Sequence, residues 1–327
     1  MAMSALDRQM IIRAVKLACR APSVHNSQPW QWVAEGPSLK LFLDASRVPH
    51  ATDRSGRQAV ISCGAALDHL QVAVTAAGWQ AIISRFPNPN DLDHLATIDF
   101  SALELVTDPM RRRADAIWAR RTDRLPLAPP PDWASFESLL RSTVDTDRVT
   151  LRVLPDSARP QLAEASRLTE ALRRYDATYH AELSWWTAPY EVSSGIPYSS
   201  LVSVAERDRV DVARAFPVTE HPDGRPEVPY DRSTIVVLST YADSRRDALD
   251  CGEVLSDVLL EATLAGLATC TLTHITELEA SRDVVRALTG AEDDPQLLIR
   301  IGLAPVVAQL PPATPRRALP DVLEFRG

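Results

Sequence analysis

Lysine is almost missing from this chain: Lys16 and Lys40 are the two lysines in a Lys plus Arg total of 35. Positive charge is therefore carried by arginine, whose planar fork suits phosphate, although a GC-rich genome produces the same bias. Glycine is scarce as well. None of the 11 glycines forms G-x-G, so neither a Rossmann fingerprint nor a P-loop is present. G-x-S-x-G and H-E-x-x-H are also missing, which removes the commonest hydrolase and metalloprotease readings. The four cysteines, Cys19, Cys63, Cys251 and Cys270, show no C-x-x-C and no paired ligand spacing. Zinc and Fe–S sites are accordingly not expected. Cys63 and Cys251 fall in apolar helical stretches, where a thiol acts as a small filler; a reducing cytoplasm is the expected compartment. Met-Ala-Met-Ser at the start carries no basic region followed by an apolar one, so no secretory leader is expected. No run of about 18 apolar residues suggests a membrane span.

The formal net charge is −8, from 35 basic and 43 acidic residues. Such a chain is a poor general partner for nucleic acid or an anionic membrane, and neither is expected as a partner. At 45% apolar and 24% charged, its 327 residues read as globular, in two units or one large one. Ser4–Asp7 resembles a helix start, and Leu6 to Ala18 carry one apolar face at helical spacing that Pro22 ends. Gln31–Ala34 and Leu39–Leu43 flank a Glu-Gly-Pro-Ser turn and read as a hairpin. Further helices are expected at Ser62–Gly78, Arg111–Arg121, Ala134–Leu140, Pro160–Leu183, Gly252–Gly266 and Ala280–Leu288. Further strands are expected at Ala81–Arg85, Leu95–Phe100, Val149–Leu154, Ile235–Tyr241 and Leu297–Gly302, and an extended tail at Pro311–Pro320. Thr187–Arg232 is irregular, rich in Pro and Gly yet carrying Tyr190, Ile196, Tyr198, Leu201, Val202 and Phe216 as apolar anchors. A segment with both features tends to fold as a loop over a site.

Two apolar helices repeat. Cys63-Gly64-Ala65-Ala66-Leu67 aligns with Cys251-Gly252-Glu253-Val254-Leu255, and Thr75-Ala76-Ala77-Gly78 with Thr263-Leu264-Ala265-Gly266, in one register of 188 residues. A strand-like segment follows each. Duplication of an α+β unit, two former subunits fused in one chain, accounts for this register.

Three short elements can carry chemistry. Arg20-Ala21-Pro22-Ser23-Val24-His25-Asn26-Ser27-Gln28-Pro29-Trp30 puts hydroxyl, amide and imidazole groups between a proline-stopped helix and a strand. It can present donors to a planar polar ligand, or serve as plain turn chemistry. Arg120-Arg121-Thr122-Asp123-Arg124 offers three guanidinium groups and a hydroxyl, a phosphate clamp or a solvated helix end. Arg111-Arg112-Arg113 reads as a solvated face, and Pro315-Arg316-Arg317 as a basic tail. His69 is expected in the core with a hydrogen bond, His274 beside the second repeat's strand. Trp185, Trp186 and Tyr190 are core aromatics or a stacking group.

Together these residues resemble the nitroreductase-like flavoproteins. The A-P-S-x-x-N-x-Q-P-W loop is matched by Ala21 through Trp30, and the R-R-[ST]-x-R element by Arg120, Arg121, Thr122 and Arg124. The Ser-Cys-Gly-Ala-Ala-Leu helix and the Pro-Arg-Arg tail make the chain similar to the single-chain Acg family within that group. The resemblance implies an α+β nitroreductase-like fold of two tandem repeats, 1–110 and 111–327, the second carrying the insertion at 187–232 as a possible lid. It implies one FMN between the halves, because the first half lacks the arginine element and the second lacks the A-P-S loop. The residues so implied are Pro22, Ser23, His25, Asn26 and Gln28, then Arg120, Arg121, Thr122 and Arg124. Thr271, Leu272 and Thr273 would offer backbone N–H groups to the flavin ring, with Arg316 or Arg317 at the phosphate. The implied activity is hydride transfer from NAD(P)H to flavin, then to a nitroaromatic or quinone-like acceptor, with no side-chain nucleophile. The alternative is a protein that stores FMN under the lid without turnover.

Overall fold

The computed structural model describes residues 8–144, 147–188, 193–217, 225, 227–305 and 313–326. The first half runs α1 (Arg8–Ala18), β1 (Trp30–Glu35), β2 (Ser38–Leu43), α2 (Arg57–Ala76), β3 (Trp79–Arg85) and β4 (His94–Ala102). Then come α3 (Asp108–Ala119), α4 (Trp133–Thr143), β5 (Thr150–Leu154), α5 (Arg159–Arg173), α6 (Ala177–Trp186) and the short α7 (Val204–Arg207). The rest is β6 (Thr234–Thr240), α8 (Arg245–Leu264), β7 (Ala268–Leu272), α9 (Glu279–Thr289), β8 (Asp294–Gly302), α10 (Leu319–Val322) and β9 (Leu323–Arg326).

The strands form two sheets, ordered β3-β4-β2-β1-β9 and β5-β6-β8-β7. Substituting β5, β6, β7 and β8 for β1, β2, β3 and β4 turns the first order into the second, apart from β9. The repeated helices α2 and α8 occupy the same place in each unit and pack on each other at their paired glycines. A Cβ on Gly64 would stand 2.1 Å from the Leu249 carbonyl oxygen, and one on Gly252 2.0 Å from that of Ile61. Ile61 and Leu249 are themselves partners in the repeat register, so the crossing is two-fold symmetric. Asp68 and Ser256, another pair 188 residues apart, meet there in a 2.5 Å hydrogen bond. Only a residue without a side chain allows backbones this close.

The α1 start expected at Ser4–Asp7 lies outside the described residues. Pro160–Leu183 is two helices rather than one, because the Asp176 carboxylate accepts from the Tyr179 N–H and caps a new start. The tail is not extended to its end: α10 forms at Leu319, and β9 joins β1 in parallel, so the last strand of the chain completes the first half's sheet. Residue 110 falls within α3. By length and composition α2 is apolar enough to cross a membrane, which the sequence reading did not anticipate, but 83% of that stretch is buried as a core helix.

All four cysteines are free and buried. Burial pushes the Cys19 and Cys251 thiols up to about 12, which keeps them protonated fillers. His69 is in the core as expected, yet neither ring nitrogen has a hydrogen-bond partner among the described residues. Arg113 does not lie on a solvated face. It reaches α8 and pairs with Asp257 and Glu261, whereas Arg111 is exposed beside Asp108.

Candidate functional site

The A-P-S loop leaves α1 at Pro22 and turns sharply. His25, Asn26 and Gln28 all hold positive φ, at 50°, 56° and 52°. Three non-glycine residues in the left-handed region within four positions is backbone strain that surrounding contacts must hold. Asn26 Nδ2 donates to the carbonyls of Gly195 and Pro315, and its Oδ1 accepts from Arg316. Gln28 Nε2 donates to the Ser193 carbonyl, and its Oε1 accepts from the Arg317 N–H. The two amides thus tie the loop to the 193–195 stretch and to the tail.

Beneath the loop is a cavity with an empty volume of about 1060 Å³. Pro22, Ser23 and His25 line one side, Ile61 and Ser62 of α2 another, and Thr271, Leu272, Thr273 and His274 a third. β7 is an edge strand, so alternate backbone groups on its outer side are not taken by β8. The arginine element runs beside that edge: Thr122 bridges to Thr269, and the Asp123 N–H donates to the Thr269 carbonyl. Ile196, Val202 and Phe216 complete the wall from the irregular segment. That segment is not a loose cover, since Val212 is fully buried in the second hydrophobic cluster.

At the Pro22, Ser23 and Thr122 end the cavity adjoins a smaller basin of about 460 Å³, which shares those residues and adds Arg20, Asn26, Arg120, Arg121, Thr314 and Arg316. None of these four arginines reaches a carboxylate among the described residues. Arg120 is 5% exposed, with Nε and Nη1 unpartnered; its Nη2 donates to the Arg20 carbonyl. Arg20 Nε is also buried without a partner, under the cation–π contact of its guanidinium with Trp118. Arg316 donates to the carbonyls of Cys19, Arg20 and Ala21, at the C-terminal end of α1. Burial, together with repulsion among these groups, pushes Arg120 down to about 10 and Arg316 down to about 9. Buried guanidinium groups with free donors and no counter-charge make a ready site for a phosphate.

Of the expected site residues, Pro22, Ser23, His25, Thr122, Arg124, Thr271, Leu272 and Thr273 line the cavity. Asn26, Arg120, Arg121 and Arg316 line the basin. Gln28 and Arg317 line neither. Arg317 turns the other way, to the Gln28 and Trp30 carbonyls and Asp44. Trp185 is exposed and Trp186 buried, and neither faces the cavity; Tyr190 lies outside the described residues.

The sequence reading gave Arg20 no role, although it opens the quoted loop element, and missed Arg214, which carries no motif; Phe216, expected as an apolar anchor of the irregular segment, lines the cavity. Arg214 pairs with the fully buried Glu277 and donates to Tyr179 Oη and Thr273 Oγ1, so its charge is held beside β7. His274 Nε2 meets Ser166 Oγ at 2.7 Å, while Nδ1 is buried without a partner. Burial pushes both His25 and His274 well below the usual imidazole range, with Arg214 adding to the effect, so both rings are neutral.

The nitroreductase family model matches residues 117–303, more than half of the chain. A Mycobacterium tuberculosis H37Rv protein named "Putative NAD(P)H nitroreductase acg" is 60% identical over 318 residues, covering 97% of this chain and 96% of that protein. A second NAD(P)H nitroreductase so named from the same strain is 36% identical over 98% of this chain and 92% of its own length. Among solved structures, the FMN-dependent nitroreductase NfnB of Mycobacterium smegmatis in complex with NADPH is 18% identical, covering 67% of this chain and all of that one, at a TM-score of 0.39. On the family match and these identities, the chain belongs to the nitroreductase family.

Proposed function

We propose that this chain is an FMN-dependent oxidoreductase that accepts a hydride from NAD(P)H and reduces a small nitroaromatic or quinone-like acceptor. One observation carries the reading: a largely apolar cavity edged by β7 opens into a basin of five arginines, Arg124 among them, none of which reaches a carboxylate among the described residues. An amphipathic cofactor with an aromatic ring at one end and a phosphate at the other suits that pair of spaces. Arg20, Arg120, Arg121 and Arg316, with Thr122, would hold the phosphate. Pro22, Ser23, His25 and the Thr271–Thr273 backbone would hold the ring. FMN would supply the two-electron chemistry between the nicotinamide and the acceptor.

The chain's own residues supply geometry and electrostatics. Arg214, fixed by Glu277, keeps a positive charge beside Thr273 and would favour negative charge developing on a bound ring. Ile196, Val202 and Phe216 line the cavity and would shield a bound ring from water. The names of the two mycobacterial relatives support NAD(P)H as reductant. We read the chain as two fused repeats divided at the start of α3, with one FMN site per chain.

The second reading, a protein that stores FMN, is favoured by the same wall over the cavity. A visible spectrum of the purified protein, followed by anaerobic NAD(P)H titration, separates the two. Bleaching of the bound flavin is expected for the oxidoreductase. A flavin that stays oxidised marks the store, and a colourless protein that does not take up FMN refutes both.

A further inference from the structure

The larger cavity has a one-sided charge. Among the described residues no aspartate or glutamate lines it, while Arg124, Arg207, Arg214 and Arg300 do. Two of the four are neutralised from behind. Arg300 and Asp231 form an ion pair with both side chains fully buried, and Arg214 rests on the buried Glu277. Arg124 lies at the junction with the basin and lines both spaces; its guanidinium donates to the Ser200 carbonyl at 3.5 Å, stands over the Phe216 ring and reaches no carboxylate among the described residues.

Arg207 is different in kind. It sits on α7, a single turn held by a capping box between Ser203 and Glu206. Its side chain is 49% exposed, so it faces both the cavity and solvent. Among the described residues its one ion pair is with its own neighbour Asp208, at 3.8 Å and 76% exposed, a contact of little energetic weight. Glu170 on α5 also feels its charge, without approaching to ion-pair distance. Arg207 is therefore a cation at the cavity mouth, available to a ligand, on a protein whose net charge is −8. The four arginines that line the basin alone already outnumber the charges of a single phosphate, so a cofactor there does not consume the positive field of the larger cavity.

We propose that the electron acceptor of this site is an aromatic compound bearing an anionic group, a carboxylate or its equivalent, and that Arg207 receives that group at the cavity mouth. The apolar walls take the ring, and the guanidinium fork takes the anion in a charge-assisted hydrogen bond. This rests on the oxidoreductase reading for the word acceptor, but the charge preference is a property of the cavity and is measured by binding alone.

The test is equilibrium dialysis of the protein as purified against 4-nitrobenzoate and 4-nitrobenzamide, which share ring and shape and differ in charge. At low ionic strength the anion should bind roughly tenfold or more tightly than the amide. Arg207→Gln should remove that preference while leaving amide binding unchanged, and 0.5 M salt should shrink it in the unaltered protein. Equal affinities for the two probes overturn the proposal. So does a preference that survives Arg207→Gln, which would move the anion site to Arg124 or the basin. If the preference follows Arg207 but NAD(P)H never bleaches the flavin, the oxidoreductase reading fails and the cavity's charge selection stands.

Discussion

Replacing Arg120 by leucine should move two properties in opposite directions. The guanidinium is buried in a cluster of like charges, and burial together with that repulsion pushes it from the usual guanidinium range down to about 10. At about 1.36 kcal/mol per pH unit, that drop corresponds to about 3 kcal/mol of unfavourable electrostatics. The sign follows from linkage. The group is charged in both the folded and unfolded chain at neutral pH, so the whole penalty is present there. It is relieved only as the pH climbs above about 10, towards the usual guanidinium range. Arg120→Leu removes this penalty and loses one hydrogen bond, to the Arg20 carbonyl, worth about 1 kcal/mol. The flavin-free protein should therefore be more stable by about 1–2 kcal/mol and melt a few degrees higher. FMN affinity should fall by about 1.5–3 kcal/mol, the value of a lost bond to a charged group. Thermal melting across an FMN titration reads both effects, because the flavin-induced rise in melting temperature must shrink in the variant. Arg111→Ala, exposed beside Asp108, is the control and should change neither. A variant that melts lower without flavin and binds FMN as before would refute the reasoning, since Arg120 would then be satisfied by the fold and not held for an anion.

Gly64→Ala should destabilise by at least 1–3 kcal/mol, roughly the cost of overpacking, because its Cβ would stand 2.1 Å from a backbone oxygen that no side-chain rotation can move; chemical denaturation measures it. Flavin released from a weighed sample should amount to one FMN per chain, and two per chain would sink the single-site reading. Phe216→Ala should thin the wall over the cavity and speed reoxidation of the reduced flavin by oxygen in stopped flow, and unchanged rates would show that the 193–217 stretch is no lid. Replacing all of 187–232 by a linker is a poorer test, since it deletes Asp231 and leaves the fully buried Arg300 unpaired, at a cost of about 3–5 kcal/mol.

The parts of the fold that were legible are those with a period or a repeat. The hairpin, both central helices and their strands follow from apolar spacing and from one register of 188 residues, and the same register pairs Ile61 with Leu249 at the helix crossing. Non-local events were not legible. Nothing local marks Leu323–Arg326 as a strand, because four residues with two charges become one only by finding the free edge of β1, nearly 300 positions away. The break at Asp176 was hidden because the flanking stretches are each helical, and a single capping carboxylate decides the boundary. In the candidate site, motif residues named the loop and the arginine element, but composition could not say which donors were free. Gln28 and Arg317 are bound up with each other and with the backbone, whereas Arg20, outside the motif, has a buried donor with no partner.

If the chain holds one FMN, the repeat offers a reason why the other half of the symmetry would be silent. Ser62, on the cavity wall, accepts the Val24 N–H and stands where the register places Asp250 on the other side. Thr273, beside Arg214, corresponds in the same way to Arg85. At the related position these counterparts meet each other: Arg85 approaches Asp250 at 3.5 Å and makes two bonds to Glu253, and Arg148 and Arg246 also reach Asp250. Asp250 and Glu253 are both buried, so side chains and paired charge stand where the related position lines the cavity. A fused pair of units needs both copies of its central helix to fold, because each glycine crossing requires the other. It needs only one copy of the loop and one of the arginine element to bind. On the single-site proposal, sequence change would be free to pair charges internally at the related position, while Arg20 and Arg120 keep buried donors without a partner among the described residues.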